Sequence, residues 1–248
     1  MDLLIGTFVL RPYVFGFLAA FLVAGKLDLG LRHTLVFAAW VGPLAWLAEF
    51  SSTRIGLPFG LYHYTGSTRG QELFIADVPF MDCLSFTFLA YASFCLARAT
   101  LAGRRVPPPL LALTSGVLMM LLDVVIDPLA VRGDRWFLGR IFFYPDGGVY
   151  FGVPLSNFAG WVVVGTLGVG GFLALGRLSG WTAASGRQPW PGIALYYAVF
   201  LFNLAVTAWI GEWVLLVVGT TVHLATALVL LSVSQRPAEG LGLEKQQA

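Results

Sequence analysis

Residues 110–128 read LLALTSGVLMMLLDVVIDP, an apolar run that ends in Asp123 and Asp127. Residues four apart share one face of a helix, so both carboxyl groups would point into the same space. An aspartate at the centre of a membrane helix costs about 2.5–3.5 kcal/mol, which favours a functional role for the pair. The alternative is that both lie at the water interface and cap the helix, and Pro128 favours a helix end there.

The composition extends this interpretation to the whole chain. Of the 248 residues, 58 % are hydrophobic and 11 % are charged, and the mean hydropathy is +0.80. Soluble domains carry about 25 % charged residues, and the strands of membrane barrels alternate in polarity over about ten residues. The long, continuous apolar stretches therefore predict an all-α fold, a polytopic integral membrane helical bundle.

Seven stretches are apolar enough to span a bilayer, which takes about 20 residues of helix. They are Leu3–Ala24, Thr34–Phe50, Pro79–Ala97, Leu110–Ile126, Val153–Leu175, Ile193–Ile210 and Trp213–Val233. Arg11 and Pro12 interrupt the first, so a short helix followed by a span is the alternative, and totals of six or eight spans stay open. No polar linker divides residues 1–234, which predicts one transmembrane domain, and the polar residues 235–248 predict a disordered tail.

The distribution of Lys and Arg predicts the orientation of the bundle. With seven spans, six of the 15 basic residues fall on the side of the N-terminus, namely Arg11, Arg54, Arg69, Arg132, Arg135 and Arg140. The others fall on the opposite side, and the positive-inside rule therefore places the C-terminus in the cytoplasm. Asp2 and the lack of a basic n-region argue against a cleaved signal peptide.

Two long connections on the side of the N-terminus hold most of the unusual residues. The first contains GLPFGLYHY at residues 56–64, and the second contains YPDGGVYFGVP at residues 144–154. Gly and Pro break helices, while Tyr is favoured at membrane interfaces. These segments are typical of re-entrant or interfacial chain, and an aromatic belt without chemistry is the alternative.

Residue types exclude several kinds of cofactor chemistry. The three histidines, His33, His63 and His223, are not spaced as a metal pair, and a membrane di-iron oxygenase needs many clustered histidines. Cys83 and Cys95 lie about 18 Å apart on one predicted helix, too far to form a disulfide. The chain also lacks a Gly-rich nucleotide fingerprint and a nucleophile elbow. We therefore expect neither a metal nor a cofactor.

The remaining possibility for chemistry is acid catalysis in an apolar environment. Glu49 ends the second predicted span, Asp82 begins the third and Glu212 begins the seventh, all at the end of the bundle that holds the aspartate pair. Asp82 and Glu212 are also explained as favourable charges at helix N-termini, whereas a carboxylate at the position of Glu49 opposes the helix dipole. Buried carboxyl groups that stay neutral can donate protons, and an aromatic face can stabilise a cation by about 2 kcal/mol when desolvated. Together these groups suit protonation of an alkene followed by capture of water.

Four sequence motifs point to a resemblance to a known family. They are Gly56-x-Pro58-x-Gly60-x-Tyr62-x-Tyr64, Asp123-x-x-x-Asp127-Pro128, Trp136, and Tyr150-x-Gly152-Val153-Pro154-x-x-Asn157-Phe158-x-Gly160-Trp161. In these motifs, which run from about Glu49 to Trp161, the chain resembles the CruF-type membrane carotenoid 1,2-hydratases of bacteria and archaea. The resemblance implies a cofactor-independent hydro-lyase of the bacterial cytoplasmic membrane, with residues 1–234 as its catalytic domain.

The implied reaction adds water across the terminal C1–C2 double bond of an acyclic carotenoid, such as lycopene, gamma-carotene or a bacterioruberin precursor. The product is a tertiary 1-hydroxy carotenoid. The implied partners are the carotenoid substrate in the lipid bilayer, water and other carotenoid biosynthesis enzymes, with no nucleic acid.

The resemblance also implies roles for individual residues. Asp127 or Asp123 would protonate C2, while the other carboxylate stays ionised, stabilises the cation at C1 and orients the water. Glu49 and Asp82 complete the expected catalytic set. The residues expected to bind the substrate end and the water are Tyr62, Tyr64, Trp136, Tyr150, Trp161 and Asn157.

Two other function classes stay open. An intramembrane prenyltransferase, or a related cyclase, also uses Asp-x-x-x-Asp, but a prenyltransferase needs a second Asp-rich motif to bind magnesium diphosphate, and the segment from Asp77 to Asp82 is a poor one. A transporter or carotenoid-binding protein without catalysis would use the acids to carry protons or to make structural contacts.

Overall fold

The computed structural model of the chain describes residues 2–178, 180, 182 and 186–235. The described helices are α1 Leu3–Leu10, α2 Pro12–Asp28, α3 Leu31–Ile55, α4 Phe80–Thr100, α5 Pro108–Ala130, α6 Leu155–Leu178, α7 Trp190–Trp209 and α8 Trp213–Gln235. The short strands are β1 His63–Tyr64, β2 Phe74–Ile75, β3 Val78–Pro79 and β4 Phe142–Phe143, and a 3₁₀ turn covers Gly133–Arg135. Apart from Gln235, the predicted tail lies outside the described residues.

Six of the described helices, α3 to α8, are long and apolar enough to cross a membrane. The pair α1 and α2 forms a seventh candidate span, bent by 91°. The prediction of a polytopic membrane bundle of about seven helices is therefore confirmed. Helix α4 lies at its centre, with 78 % of its apolar window buried, whereas α8 lies at the edge with 17 % buried.

The bend between α1 and α2 occurs at Arg11 and Pro12, where the sequence interrupts its first apolar stretch. Proline is favoured at the first position of a helix, because it has no N–H to donate and its φ already suits a helix. Arg11 has non-helical dihedral angles (φ −128°, ψ 47°), so it separates the two helices. The alternative of a short helix followed by a longer one is the arrangement found.

Helices α5 and α6 pack against each other at a pair of glycines. A Cβ atom added to Gly165 would lie 2.9 Å from the Cα atom of Gly116, so a larger residue would push the helices apart. Small residues allow such close approach of membrane helices. The helices are antiparallel neighbours, and Asp123, two turns beyond Gly116, therefore meets Asn157 near the start of α6.

The two long connections fold onto each other over one end of the bundle. Strands β1 and β4 pair antiparallel, with His63 opposite Phe143 and Tyr64 opposite Phe142. The first connection begins at Gly56, whose positive φ of 75° ends α3 in a left-handed turn that favours glycine. This pairing closes the end of the bundle at which α3, α4, α5 and α6 bring their acidic and amide side chains together.

Candidate active site

A cavity of about 130 Å³ lies beneath the two connections. Three carboxyl groups from three helices face it: Glu49 of α3, Asp82 of α4 and Asp127 of α5. The rest of the wall is largely aromatic and aliphatic. We call this space the acid cavity.

One side of the acid cavity is formed by Asp127 together with the residues behind it. The side-chain amide of Asn157 donates to Asp123 Oδ2 at 2.6 Å and to Asp127 Oδ2 at 2.8 Å, which uses both of its N–H groups. Trp161 of α6 lines the same cavity. Asp123 is fully buried and lies behind the wall, and its Oδ1 has no hydrogen-bond partner among the described residues. We call Asp123, Asn157 and Asp127 the asparagine-bridged pair.

The cavity wall also holds a second pair of acids, which are joined by a tyrosine. The hydroxyl oxygen of Tyr64 lies 2.8 Å from Glu49 Oε2 and 2.7 Å from Asp82 Oδ2. A phenol has one hydrogen to donate, so two hydrogen bonds to carboxyl oxygens require that at least one of these acids carries a proton. Burial and the nearby charges of Asp82 and Glu49 raise the pKa of Tyr64, which keeps its own hydroxyl protonated. We call Glu49, Tyr64 and Asp82 the tyrosine-bridged pair.

Pairing of the two connections fixes Tyr64 and builds the aromatic wall. The ring of Tyr62 lies 5.5 Å from that of Tyr64 and 5.7 Å from those of Phe142 and Tyr144, measured between centroids. The Tyr62 hydroxyl is buried and has no hydrogen-bond partner among the described residues. Burial, followed by the charges of the nearby acids, raises the pKa of Tyr144, so its hydroxyl is also neutral.

The structure brings most of the residues singled out in the sequence to the acid cavity. Its wall includes Glu49, Tyr62, Tyr64, Asp82, Asp127, Trp136, Asn157 and Trp161. Their roles stay predictions. Asp82 also lies in the first turn of α4, so its favourable position at a helix N-terminus and its place in the site are compatible.

Three residues singled out in the sequence are placed differently from what their sequence positions suggest. Glu49 does not end its helix, because α3 continues to Ile55. Tyr150 lies outside the cavity wall and packs with its ring 5.3 Å from that of Phe158. Glu212 pairs with Arg132 at 3.2 Å and with Arg135, away from the cavity.

Several residues of the site were not identified from the sequence. Tyr13 and Phe17 of α2 and Asn203 of α7 line the acid cavity, as does Tyr144 of the second connection. Tyr13 directly follows the Arg11-Pro12 interruption, which was the available signal. Asn203 is a single amide in an apolar helix, a type of residue that membrane proteins seldom keep without a function.

A buried ion pair beside the cavity joins three parts of the chain. Arg11 Nη2 lies 2.9 Å from Glu72 Oε1, and both side chains are at most 1 % exposed. Arg11 also donates to the carbonyl of Leu138 at 2.8 Å, and Thr68 donates to Glu72. The helix bend, the first connection and the second connection are therefore held by one set of charge-assisted hydrogen bonds.

The grouping of the acidic residues that the structure describes bears on metal binding and on the Asp-rich motif of a prenyltransferase. Within the described ranges, no three His, Cys, Asp or Glu side chains are grouped so that they could hold a metal ion. Asp77, the first acid of the weak motif, is exposed and pairs with Arg54 and Arg69 rather than facing the cavity.

Comparison with known proteins gives the family. The chain is 31 % identical over 167 residues to the bisanhydrobacterioruberin hydratase of Haloarcula japonica, and the match covers 67 % of this chain and 51 % of that relative. The chain thus spans about half the length of the curated relative it matches. No solved structure matches. The family model described as "Carotenoid biosynthesis protein" matches residues 4–226. This match covers nearly all of the described helices, and the chain belongs to the carotenoid biosynthesis protein family.

Proposed function

We propose that this protein adds water across the terminal C1–C2 double bond of an acyclic carotenoid such as lycopene, gamma-carotene or a related compound. The observation that carries the proposal is an aromatic cavity whose wall holds both the tyrosine-bridged pair of acids and a third carboxyl group, Asp127, which is hydrogen-bonded by Asn157. The hydratase activity in the printed name of the Haloarcula japonica relative supports the same reaction class.

The first step is proton transfer from the tyrosine-bridged pair to C2. The proton that Glu49 and Asp82 hold between them moves to the alkene carbon, and the π electrons of the double bond form the new C–H bond. A tertiary cation is left at C1. Tyr64 donates to the carboxylate that forms, because its hydroxyl can turn toward whichever oxygen has lost the proton.

The cation is stabilised by the aromatic wall and by Asp127. The side-chain amide of Asn157 donates to Asp127, and we assign the negative charge that faces the cation to this carboxyl group. Asp123 shares the Asn157 amide with Asp127, and we assign a proton to Asp123, which is buried behind the wall. Asp123 and Asn157 are thus positioning residues. This assignment differs from the role implied by the resemblance, in which one of the two aspartates protonates C2.

In the second step, water attacks C1. Asp127 accepts a proton from the water as the C–O bond forms, and return of this proton to the tyrosine-bridged pair completes the cycle. Both N–H groups of Asn157 are used by carboxyl oxygens, so we assign the orientation of the water to the unpartnered hydroxyl of Tyr62 instead. The net change is one hydrogen at C2 and one hydroxyl at C1.

Expression in a host that accumulates lycopene tests the reaction directly. We expect pigments heavier by one or two waters, and growth in heavy-oxygen water should place the label in the product, because hydration takes its oxygen from solvent. An unchanged pigment profile, with the protein present in the membrane, would contradict the proposal. A requirement for magnesium, with activity lost in excess chelator, would favour a prenyltransferase instead.

The assignment of the acid predicts the behaviour of Glu49→Gln and Asp82→Asn. Each substitution removes a carboxyl group that holds the transferred proton, so we expect hydration to fall by about 10²–10⁴-fold, as for loss of a general acid. His63→Gln is the matched control, because His63 lies next to Tyr64 in β1 but is exposed and outside the cavity wall. Wild-type rates in both acid variants would show that neither Glu49 nor Asp82 donates the proton.

The membrane location and orientation are proposed from the apolar helices and from the distribution of Lys and Arg. We propose a multi-pass protein of a bacterial cytoplasmic membrane, with its C-terminus in the cytoplasm and the acid cavity at the outer end of the bundle. Residues 1–234 would act as one catalytic domain that receives its substrate from other carotenoid biosynthesis enzymes.

A further inference from the structure

A groove runs between α2 and α7 on the side of the bundle. Helix α2 contributes Tyr13, Gly16, Phe17 and Ala20, and α7 contributes Pro191, Ala194, Leu195 and Ala198. None of these side chains is charged. The only hydroxyl among them belongs to Tyr13, at the end nearest the acid cavity.

The groove adjoins the acid cavity. Tyr13 and Phe17 line both spaces. On α7, the cavity wall uses Val199 and Asn203, and the groove uses residues earlier in the same helix. The two helices run antiparallel. Later residues of α2 and earlier residues of α7 therefore both lie progressively farther from the cavity, on the same side of it. From Asn203 to Pro191 the distance along α7 is about 18 Å, more than half of the roughly 30 Å hydrocarbon core.

The small residues of the groove are not used to pack helices. Small residues in membrane helices normally allow two backbones to approach closely. Here Gly16, Ala20, Ala194 and Ala198 are exposed, and a Cβ atom added to Gly16 would meet no atom within 4 Å. The space between these parts of the two helices is therefore open to the outside of the bundle and apolar.

We propose that this groove binds the linear chain of the carotenoid whose end group occupies the acid cavity. The proposal rests on the proposed function and adds the location of the rest of the substrate. A long, unbranched polyene matches an uncharged groove that opens to the lipid on one side and joins the reacting end on the other. The ring of Tyr13, stacked on Phe202 at 5.3 Å, lies where the chain passes from groove to cavity. Since lipid tails are as apolar as the groove, dispersion contacts and shape supply the selectivity.

Filling the groove should expel the chain. The variants are Gly16→Phe and Ala198→Phe, with Ala19→Phe and Ala205→Phe as matched controls, because Ala19 and Ala205 are exposed on the same helices but outside the groove and the cavity wall. Each protein is purified from lycopene-accumulating membranes, and the lycopene-type pigment retained per protein is measured by absorbance. We expect at least about a tenfold loss in the groove variants and none in the controls, because the new ring overlaps the bound chain.

A graded series separates occlusion from misfolding. Gly16→Ala and Gly16→Leu should lower pigment retention in order of side-chain size, while elution as a monodisperse protein stays the same. Wild-type pigment retention in both Phe variants, or equal loss in the controls, would overturn the groove assignment. Pigment that is retained by the wild type and lost on filling the groove, but never hydrated, would instead contradict the proposed function and leave the groove assignment intact.

Discussion

Asp127→Asn is expected to lower the rate of hydration by at least about 100-fold, because the variant loses its base and the negative charge that faces the cation. Asparagine has nearly the same shape as aspartate, but an amide N–H in place of Oδ2 would face the N–H group of Asn157. The measurement is the initial rate of hydroxy-carotenoid formation in membranes that contain equal amounts of protein.

The comparison needs an acid that lies outside the site. Asp134 is exposed in the 3₁₀ turn and does not line the acid cavity, so Asp134→Asn should keep the wild-type rate. Normal hydration by a folded Asp127→Asn protein would remove this residue from the mechanism. Loss of activity in both variants would indicate a general sensitivity to charge rather than a specific base.

Glu72→Gln is expected to destabilise the protein by about 3–5 kcal/mol, the usual cost of removing one partner of a buried ion pair. The substitution leaves the guanidinium of Arg11 buried without its countercharge at the junction of the helix bend and the two connections. Thermal unfolding in detergent, followed by circular dichroism or by elution of soluble protein, measures the loss.

Two further variants define the origin of this effect. Arg11→Met combined with Glu72→Gln removes the uncompensated charge and should recover part of the lost stability. Asp77→Asn breaks an exposed ion pair with Arg69, and we expect it to cost about 0–1 kcal/mol. A Glu72→Gln protein as stable as Asp77→Asn would show that the buried pair contributes little.

The number and placement of the helices could be predicted because apolar length alone decides what can cross a bilayer. The residues at which helices end were harder to predict from the sequence. Helix α3 passes Phe50 and continues to Ile55, since the Arg54 guanidinium lies 3.5 Å from the Phe50 ring and donates to the Phe50 carbonyl at 3.1 Å. A polar stretch with an amphipathic arginine extends such a helix beyond its apolar part.

Much of the acid cavity could be anticipated because it depends on rare residues. Buried acids and Gly/Pro/aromatic segments are costly or unusual in a membrane chain, so Glu49, Asp82 and Asp127 were visible in the sequence. Which side chains these acids contact could not be predicted from the sequence. Tyr64 contacts Glu49 and Asp82 only because β1 pairs with β4, and Glu72 meets Arg11 across 61 residues of chain. Such contacts arise from the tertiary arrangement and have no local signature.

The acid cavity lies at one end of the bundle, and this has a consequence for a symmetric substrate. A carotenoid long enough to cross the bilayer presents one of its two ends to the catalytic groups while the other lies near the opposite leaflet. Hydration of the second end requires that the molecule leave, turn end over end within the lipid and bind again. Under the function proposed above, the protein would therefore act distributively, and a singly hydroxylated pigment should accumulate before any doubly hydroxylated one.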